Sequence, residues 1–229
     1  MEILQTNNSQ KLDEIISRIG LETGYILSPK VQQDLQLYFQ ELQAWNKKIN
    51  LTGIKELGTL VQKHLGDTLL LLEHMPKGVH TVLDIGTGAG IPGILMKIIR
   101  PELYMVLAEG VKKKCSFLKF IIAKLGLKDV FVEQRLIGPQ TPPRHLPALG
   151  FDLIVSQATG SLKWFVETAL GFLAPEGSMI MLKGPSGWEE IKSCQFFLQQ
   201  AGLSINTIET SLPIANHKRL LIECKFSSL

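Results

Sequence analysis

The spacing of apolar residues along the chain divides it into two parts. Before residue 76, apolar residues recur at helical intervals over 32–50 and again over 59–75, and no strand-like alternation interrupts them. A break of turn-forming residues follows at 76–78. The pattern therefore predicts a helical N-terminal extension over residues 1–76.

From residue 79 onward, short apolar runs alternate with longer amphipathic segments. Runs this continuously apolar are typical of strands buried on both faces, and their alternation with helices indicates parallel crossovers. Two final runs around a turn at 213–217 predict an antiparallel hairpin, and four prolines in 138–150 predict a loop. Residues 77–229 are therefore predicted to form an α/β core, a doubly wound, mostly parallel seven-stranded sheet. The predicted strands are 81–86, 104–109, 130–134, 152–157, 178–184, 204–210 and 218–226, and the predicted helices are 91–99, 112–125, 161–173 and 188–201.

Composition sets the class of protein. The 229 residues are 45% hydrophobic and 20% charged, which suffices for a folded core. No apolar stretch is long enough to cross a bilayer, and the polar, acidic N-terminus is unlike a secretory signal, so we expect a cytoplasmic protein without membrane contact. The three cysteines are odd in number and far apart, so we expect buried apolar side chains and neither a metal site nor a disulfide.

Charge is distributed unevenly along the chain. The formal net charge is +3, and residues 77–229 hold 17 Lys and Arg against 12 Asp and Glu. A moderately basic core permits contact with nucleic acid without requiring it.

A cluster of glycines follows the first predicted strand, in the segment TVLDIGTGAGIPG. In an open parallel sheet, ligands bind beyond the carboxyl ends of the strands, and the first strand-to-helix turn is the usual cradle. Gly86, Gly88 and Gly90 occupy that turn, where a missing Cβ permits positive φ and close approach of a ligand. Residues 88–93 also satisfy G-x-G-x-x-G, so a dinucleotide is one candidate ligand.

Two carboxylates flank this turn and favour a different ligand. Asp84 ends the first strand, where its charge would repel a pyrophosphate and attract the sulfonium and ammonium groups of S-adenosyl-L-methionine. Glu109 ends the second strand and is suited to accept hydrogen bonds from the hydroxyls of an adenosine ribose. The alternatives are a local turn cap for Asp84 and an ion pair with Lys112 for Glu109.

Several longer motifs together resemble one family. WNKKINLTGI, KHLGDTLLL, LDIGTGAGIPGILMKIIRP and AEGVKKKCSFLKF are similar to segments of the small-subunit ribosomal RNA methyltransferase G family, also called glucose-inhibited division protein B. The resemblance covers about residues 45–225. It implies a Rossmann-like core, a helical N-terminal extension, and S-adenosyl-L-methionine-dependent methylation of guanine N7. The implied partner is small-subunit ribosomal RNA, either free or in the 30S subunit.

The resemblance, added to the glycines and carboxylates above, implies a set of site residues. Leu136 and Ile137 would flank the adenine, and Thr52 and Asp67 belong to N-terminal motifs that face the catalytic cleft in the family. The expected cofactor-binding residues are Asp84, Gly86, Gly88, Gly90, Ile91, Glu109, Leu136, Ile137 and Gln157. The expected RNA-binding residues are Asn50, His64, Lys183 and Arg219.

The chain departs from the family pattern at three places. Gln157 stands where the family usually has the arginine of SRA, the segment RLIG replaces one that tends to carry an acid, and Ser116 replaces an arginine. These departures keep two alternatives open: a methyltransferase of a small molecule or a protein, and a non-catalytic RNA-binding or ribosome-assembly protein.

The chemistry of guanine N7 determines which catalytic groups to expect. N7 carries a lone pair and no proton, so attack on a methyl carbon requires alignment and no general base. We therefore expect no catalytic acid–base residue. We expect a monomer whose RNA contacts come from basic residues near the cleft, including Lys112, Lys113, Lys114 and Lys119.

Overall fold

The computed structural model of the protein describes residues 2–157, 160–212, 214 and 217–227. Within these residues, three long helices precede a sheet that carries four further helices. The helices are α1 (Glu2–Glu22), α2 (Pro29–Ile49), α3 (Leu57–Glu73), α4 (Gly93–Ile99), α5 (Lys112–Leu125), α6 (Leu162–Ala169) and α7 (Gly187–Gln200). The strands are β1 (Thr81–Ile85), β2 (Tyr104–Ala108), β3 (Val130–Glu133), β4 (Phe151–Gln157), β5 (Leu173–Lys183), β6 (Leu203–Ser211) and β7 (Lys218–Phe226).

The strand order across the sheet is β3-β2-β1-β4-β5-β7-β6. Strands β1 to β5 run parallel, and β7 lies antiparallel between β5 and β6. The predicted fold class, an α/β protein with a doubly wound, mostly parallel seven-stranded sheet, is confirmed. The order reverses between β1 and β4, and open α/β sheets bind ligands at the carboxyl ends of the strands at such a point.

Helix α2 connects the N-terminal region to the glycine-rich turn. Ser28 caps its first turn, and Pro29 occupies the first helical position, where the missing N–H would have no helical partner. The buried ring of Tyr38 lies 6.2 Å from that of Phe117 on α5. The Tyr38 hydroxyl donates a hydrogen bond to Ala89 O at 2.9 Å, so α2 directly supports the turn after β1.

Apolar side chains of the N-terminal helices and of the sheet form one continuous cluster. Leu42 of α2 and Leu65 of α3 belong to it, together with Ile94 of α4 and Leu118 of α5. A second cluster on the other face of the sheet holds the apolar sides of α6 and α7. The division of the chain into two domains at residue 76 stays a prediction.

The element bounds differ from the prediction mainly near β5. The helix predicted over 161–173 ends at Ala169 and is followed by a 3₁₀ turn, and β5 begins at Leu173. Pro175 and Gly177 read as a break in the sequence, but a register irregularity between β4 and β5 accommodates them inside the strand. The predicted final hairpin is confirmed, although residues 213, 215 and 216 of its turn lie outside the described residues.

Other expectations from composition can also be compared with the structure. The three cysteines are buried, as expected, and all three are free thiols. The proline-rich segment 138–150 is irregular apart from an isolated bridge, as predicted. No helix in the described part of the chain has the length and apolar content needed to cross a membrane.

Candidate functional site

A cleft of about 480 Å³ opens at the carboxyl ends of β1, β4 and β5, next to the reversal of strand order. The glycine-rich turn after β1 forms one wall, and side chains from α3, β7 and the segment after β5 form the others. The residues that line the cleft include Lys63, His64, Asp67, Gly86, Thr87, Gly88, Ile91, Gln157, Lys183, Glu190 and Arg219.

The turn after β1 requires glycine for two different reasons. At Gly90, where φ is 89°, an added Cβ would lie 2.4 Å from Ile94 Cγ1, so packing against α4 excludes a side chain. At Gly88, where φ is 59°, an added Cβ would meet nothing closer than Gly86 O at 3.9 Å. The space in front of Gly88 is therefore open, and a ligand in the cleft can approach the main chain there.

Asp84 does not lie where we expected it. Its side chain is fully buried beneath the turn, where Oδ2 accepts hydrogen bonds from Thr87 Oγ1 at 2.6 Å and from Gly93 N at 2.9 Å. The expectation that this carboxylate faces the ligand space is wrong, and the alternative of a local turn cap describes its contacts. Burial raises the pKa of Asp84 to about 7, and Oδ1 has no hydrogen-bond partner among the described residues.

Glu109 supports the same turn from the end of β2. Its Oε2 accepts a hydrogen bond from Gly88 N at 3.0 Å, and its Oε1 accepts one from Val111 N at 2.8 Å. The cation nearest to this carboxylate is Lys114, at 3.9 Å, and not the Lys112 expected from the sequence as the alternative partner. Each carboxylate oxygen can accept more than one hydrogen bond, so Glu109 retains capacity for ligand hydroxyls.

Asp67 of α3 binds side chains from two strands at the cleft, one of them in a buried ion pair. Arg219 Nε of β7 donates to Asp67 Oδ1 of α3 at 2.6 Å, and Gln157 Nε2 at the end of β4 donates to Asp67 Oδ2 at 2.6 Å. Burial raises the pKa of Asp67, and the Arg219 guanidinium acts in the opposite direction. The structure thus brings together two of the predicted site residues, Gln157 and Arg219, through Asp67.

Lys183 at the end of β5 is paired in a similar way. Its Nζ lies 2.9 Å from Glu190 Oε1 and donates to Gly160 O at 2.7 Å, while Glu190 Oε2 accepts from Leu162 N at 2.7 Å. Sequence reasoning missed Glu190, because an acid in the first turn of a helix is common and carries no distinctive signal.

The charges that line the cleft nearly balance. Its cations are Lys63, Lys183 and Arg219, and its acids are Asp67 and Glu190. Two of the three cations are already paired with these acids. Among the described residues, the cleft therefore offers few free positive charges to a chain of phosphates, and its paired acids offset most of its cations.

His64 lines the cleft from α3 and is only 8% exposed. Neither ring nitrogen has a hydrogen-bond partner within the described residues. Burial, assisted by the neighbouring cations Lys63 and Arg219, lowers the pKa of His64 to about 3. The imidazole is therefore neutral near pH 7.

Thr52 lines the cleft, whereas Asn50, Leu136 and Ile137 do not. Asn50 follows α2 in the left-handed conformation and lines a groove that adjoins the cleft at Leu51 and Thr52, so its role in RNA binding stays a prediction. Ile137 is buried in the loop after β3, and Leu136 is 79% exposed. An added Cβ on Gly110 would lie 3.0 Å from Leu136 Cδ2, so Leu136 covers the chain directly after Glu109.

The predicted basic helix is α5, and its start lies beside the cleft, because Lys114 is paired with Glu109. Lys112, Lys113 and Lys119 are exposed, and none of them lines the cleft. Within the described residues, no group of three or more His, Cys, Asp or Glu side chains is arranged to hold a metal ion.

Comparison with protein families gives one match over most of the chain. The sequence pattern of the GidB family, described as rRNA small subunit methyltransferase G, matches residues 31–217. The chain is 34% identical to "Ribosomal RNA small subunit methyltransferase G" of Geobacter sp. (strain M21), covering 93% of this chain and 97% of that protein. It is 37% identical to the protein of the same name from Moorella thermoacetica, covering 79% of this chain and 75% of that protein.

Comparison with solved structures concerns the fold alone. The human methyltransferase 10 domain containing protein matches with a TM-score of 0.57 and 12% identity, covering 88% of this chain and all (100%) of that chain. The O-methyltransferase TomG from Streptomyces achromogenes, solved in complex with SAM, matches with a TM-score of 0.55 and 14% identity, covering 83% of this chain and 90% of that chain. Both likenesses support the α/β fold described above.

Proposed function

This chain belongs to the rRNA small subunit methyltransferase G family and is an S-adenosylmethionine-dependent methyltransferase, and we propose that its acceptor is N7 of a guanine in small-subunit (16S) ribosomal RNA. The observation that carries the proposal is the open space in front of Gly88, next to Glu109, in a nearly neutral cleft at the reversal of strand order.

The residues of the cleft fit the cofactor. Gly86, Gly88 and Ile91 line the wall that the cofactor would contact, and Glu109, next to Gly88, would accept hydrogen bonds from its ribose. Asp84 is buried beneath the turn, where it would support the turn and not touch the cofactor. The loop that holds Leu136 and Ile137 would cover the adenine. When bound, S-adenosylmethionine supplies a methyl group on a positively charged sulfur.

The rest of the cleft is suited to a neutral acceptor base. Guanine N7 needs no proton removed, so the task of the protein is to align the lone pair with the methyl carbon. The Asp67–Arg219 pair and the Lys183–Glu190 pair fix the walls opposite the glycine-rich turn. The neutral imidazole of His64 adds no positive charge that would oppose a cationic cofactor.

The proposed substrate also defines partner and location. Small-subunit ribosomal RNA, free or in the 30S subunit, would bind to a monomer of this chain in the cytoplasm. The paired cations of the cleft leave few charges for phosphates, so the main phosphate contacts would lie at its rim.

The function is tested by methyl transfer from labelled S-adenosylmethionine to unmodified small-subunit RNA and to 30S subunits. We expect a single N7-methylguanine, and no transfer to RNA in which guanine is replaced by 7-deazaguanine. Transfer to small molecules or proteins but not to RNA would overturn the proposal. Binding of RNA without binding of cofactor in a calorimetric titration would point instead to a non-catalytic assembly protein.

A further inference from the structure

A second groove, of about 590 Å³, lies beside the catalytic cleft. It runs between the start of α7 and the edge formed by β6 and β7, and we call it the side groove. Arg219 lines both the cleft and the side groove, so the two are neighbours across one side chain. Nothing in the proposed methyl transfer uses it. The residues that line the side groove include Pro185, Trp188, Glu209, Lys218 and Arg219.

Trp188 provides an aromatic surface in the side groove. The residue is 38% exposed, and its indole Nε1 donates a hydrogen bond to Glu209 Oε1 at 2.8 Å. A ring held at its N–H edge loses little freedom when another flat group stacks on it. Stacking of a nucleobase on an aromatic side chain is a common mode of single-stranded RNA binding.

Lys218 provides a positive charge in the side groove. It is exposed, and no ion pair between described residues includes it. The next residue, Arg219, is instead held by Asp67 in the cleft. Among the described residues that line the side groove, Arg219 is held by Asp67 and Lys218 has no ion-pair partner, so Lys218 is the cation there best placed to attract a phosphate.

We propose that the side groove binds a nucleotide that flanks the methylated guanine, with its base stacked on Trp188 and its phosphate near Lys218. This inference rests on the proposed function, because it assumes that the cleft receives an RNA base. A target base turned into the cleft leaves its neighbours unstacked, and an aromatic surface next to the entrance would compensate for that loss. Together, an aromatic ring and an unpaired lysine favour RNA over a protein segment.

The inference is tested with Trp188→Ala, Trp188→Phe and Lys218→Gln, each assayed for RNA binding and methylation. Trp188→Ala should weaken RNA binding by about 5- to 150-fold, while the Phe variant retains most of it. Lys218→Gln should raise KM, leave kcat nearly unchanged, and reduce the salt dependence of binding by about one phosphate contact. Cofactor affinity should stay at the wild-type value in all three variants.

Control variants come from α7, the helix that carries Trp188. Phe196 of α7 is 71% exposed and Lys192 is exposed, and neither lines the side groove. Phe196→Ala and Lys192→Gln should therefore bind RNA like the wild type. As a direct probe, RNA should quench the tryptophan fluorescence of the wild type and of Trp164→Phe, and should quench Trp188→Phe much less.

The outcomes separate this inference from the proposed function. If wild-type protein methylates RNA and the Trp188 and Lys218 variants do so with unchanged KM and salt dependence, the side groove is not an RNA site. If the variants lose binding to 30S subunits but not to free RNA, the side groove contacts a ribosomal protein, and the inference of an RNA site is wrong. If wild-type protein neither binds nor methylates small-subunit RNA, the proposed function itself fails.

Discussion

Glu109 Oε2 accepts a hydrogen bond from Gly88 N at 3.0 Å, which ties the end of β2 to the turn after β1. The same carboxylate accepts from Val111 N through its other oxygen. Glu109 therefore both shapes the glycine-rich turn and keeps a negative charge beside it. Because one acid has both roles, we expect its replacement to change the geometry of the cleft as well as its affinity for the hydroxyl groups of a ligand.

Replacing Glu109 with Gln should weaken the binding of S-adenosylmethionine by about 10- to 100-fold, because hydrogen bonds to a charged acceptor contribute about 1.5–3 kcal/mol. The amide oxygen can still accept from one backbone N–H, so the fold should persist. Isothermal titration calorimetry measures the affinity. Glu102→Gln, at an exposed acid after α4, is the control and should bind normally. Unchanged affinity in Glu109→Gln would place the ribose elsewhere.

Gly88→Ala separates backbone strain from the loss of ligand space. Gly78 has φ of 81° and, like Gly88, has open space where a Cβ would lie. Each alanine variant should lose about 1–2 kcal/mol of unfolding free energy from the left-handed backbone. Only Gly88→Ala should also lose cofactor affinity, because its methyl group enters the cleft. Thermal unfolding with and without S-adenosylmethionine checks both effects, and equal ligand-induced stabilisation would contradict the assignment.

The sequence predicted the sheet well because its signals are local. The buried strands β1, β2 and β4 are short apolar runs between amphipathic helices, so period and length identify them. The start of β5 was missed because Pro175 and Gly177 lie within the strand, where the pairing with β4 is irregular. That irregularity depends on how β5 pairs with β4, so the local sequence pattern does not predict it.

The candidate site was predicted only in part, because some of its residues are marked by local sequence signals and others are brought together only by tertiary packing. The glycines of the turn after β1 and Glu109 follow directly from their places at the ends of strands. The pairing of Asp67 with Arg219 spans 152 positions and depends on how α3 packs against the sheet. The direction of Asp84 also depends on a contact, since Thr87 and Gly93 turn its carboxylate beneath the main chain.

Asp84 should make stability fall as pH rises. Its pKa is about 7 in the folded protein and 3.8 for an ordinary aspartate, so between these values the folded state binds more protons than the unfolded state. The unfolding free energy of the wild type should therefore decrease from about pH 4 to pH 7, relative to Asp84→Asn, and run parallel to it above pH 7. Urea unfolding across this range measures the difference. A difference independent of pH would show that Asp84 is already ionised at low pH.

His64 should have the opposite dependence. Its pKa is lowered from 6.5 to about 3 in the folded protein. Between these two pH values the unfolded state therefore binds a proton at His64 and the folded state does not. Wild-type stability should decrease from pH 6.5 toward pH 3 relative to His64→Gln, and the two should run parallel above pH 7. His80→Gln, at an exposed position, is the control. The rate of methyl transfer should show no ionisation of His64 between pH 6 and 8, and an acid limb lost in His64→Gln would contradict this.

The Asp67–Arg219 pair should couple α3 to β7 strongly. Asp67 is 2% exposed and Arg219 is mostly buried, so removing either partner leaves a charge with little water around it. Asp67→Asn and Arg219→Gln should each cost about 3 kcal/mol of unfolding free energy, and the double variant should cost much less than their sum. The exposed pair Lys163–Glu167 is the control, with a coupling energy of about 0–1 kcal/mol. Additive losses at Asp67 and Arg219 would mean that water already screens the pair and that the cleft wall is held by packing alone.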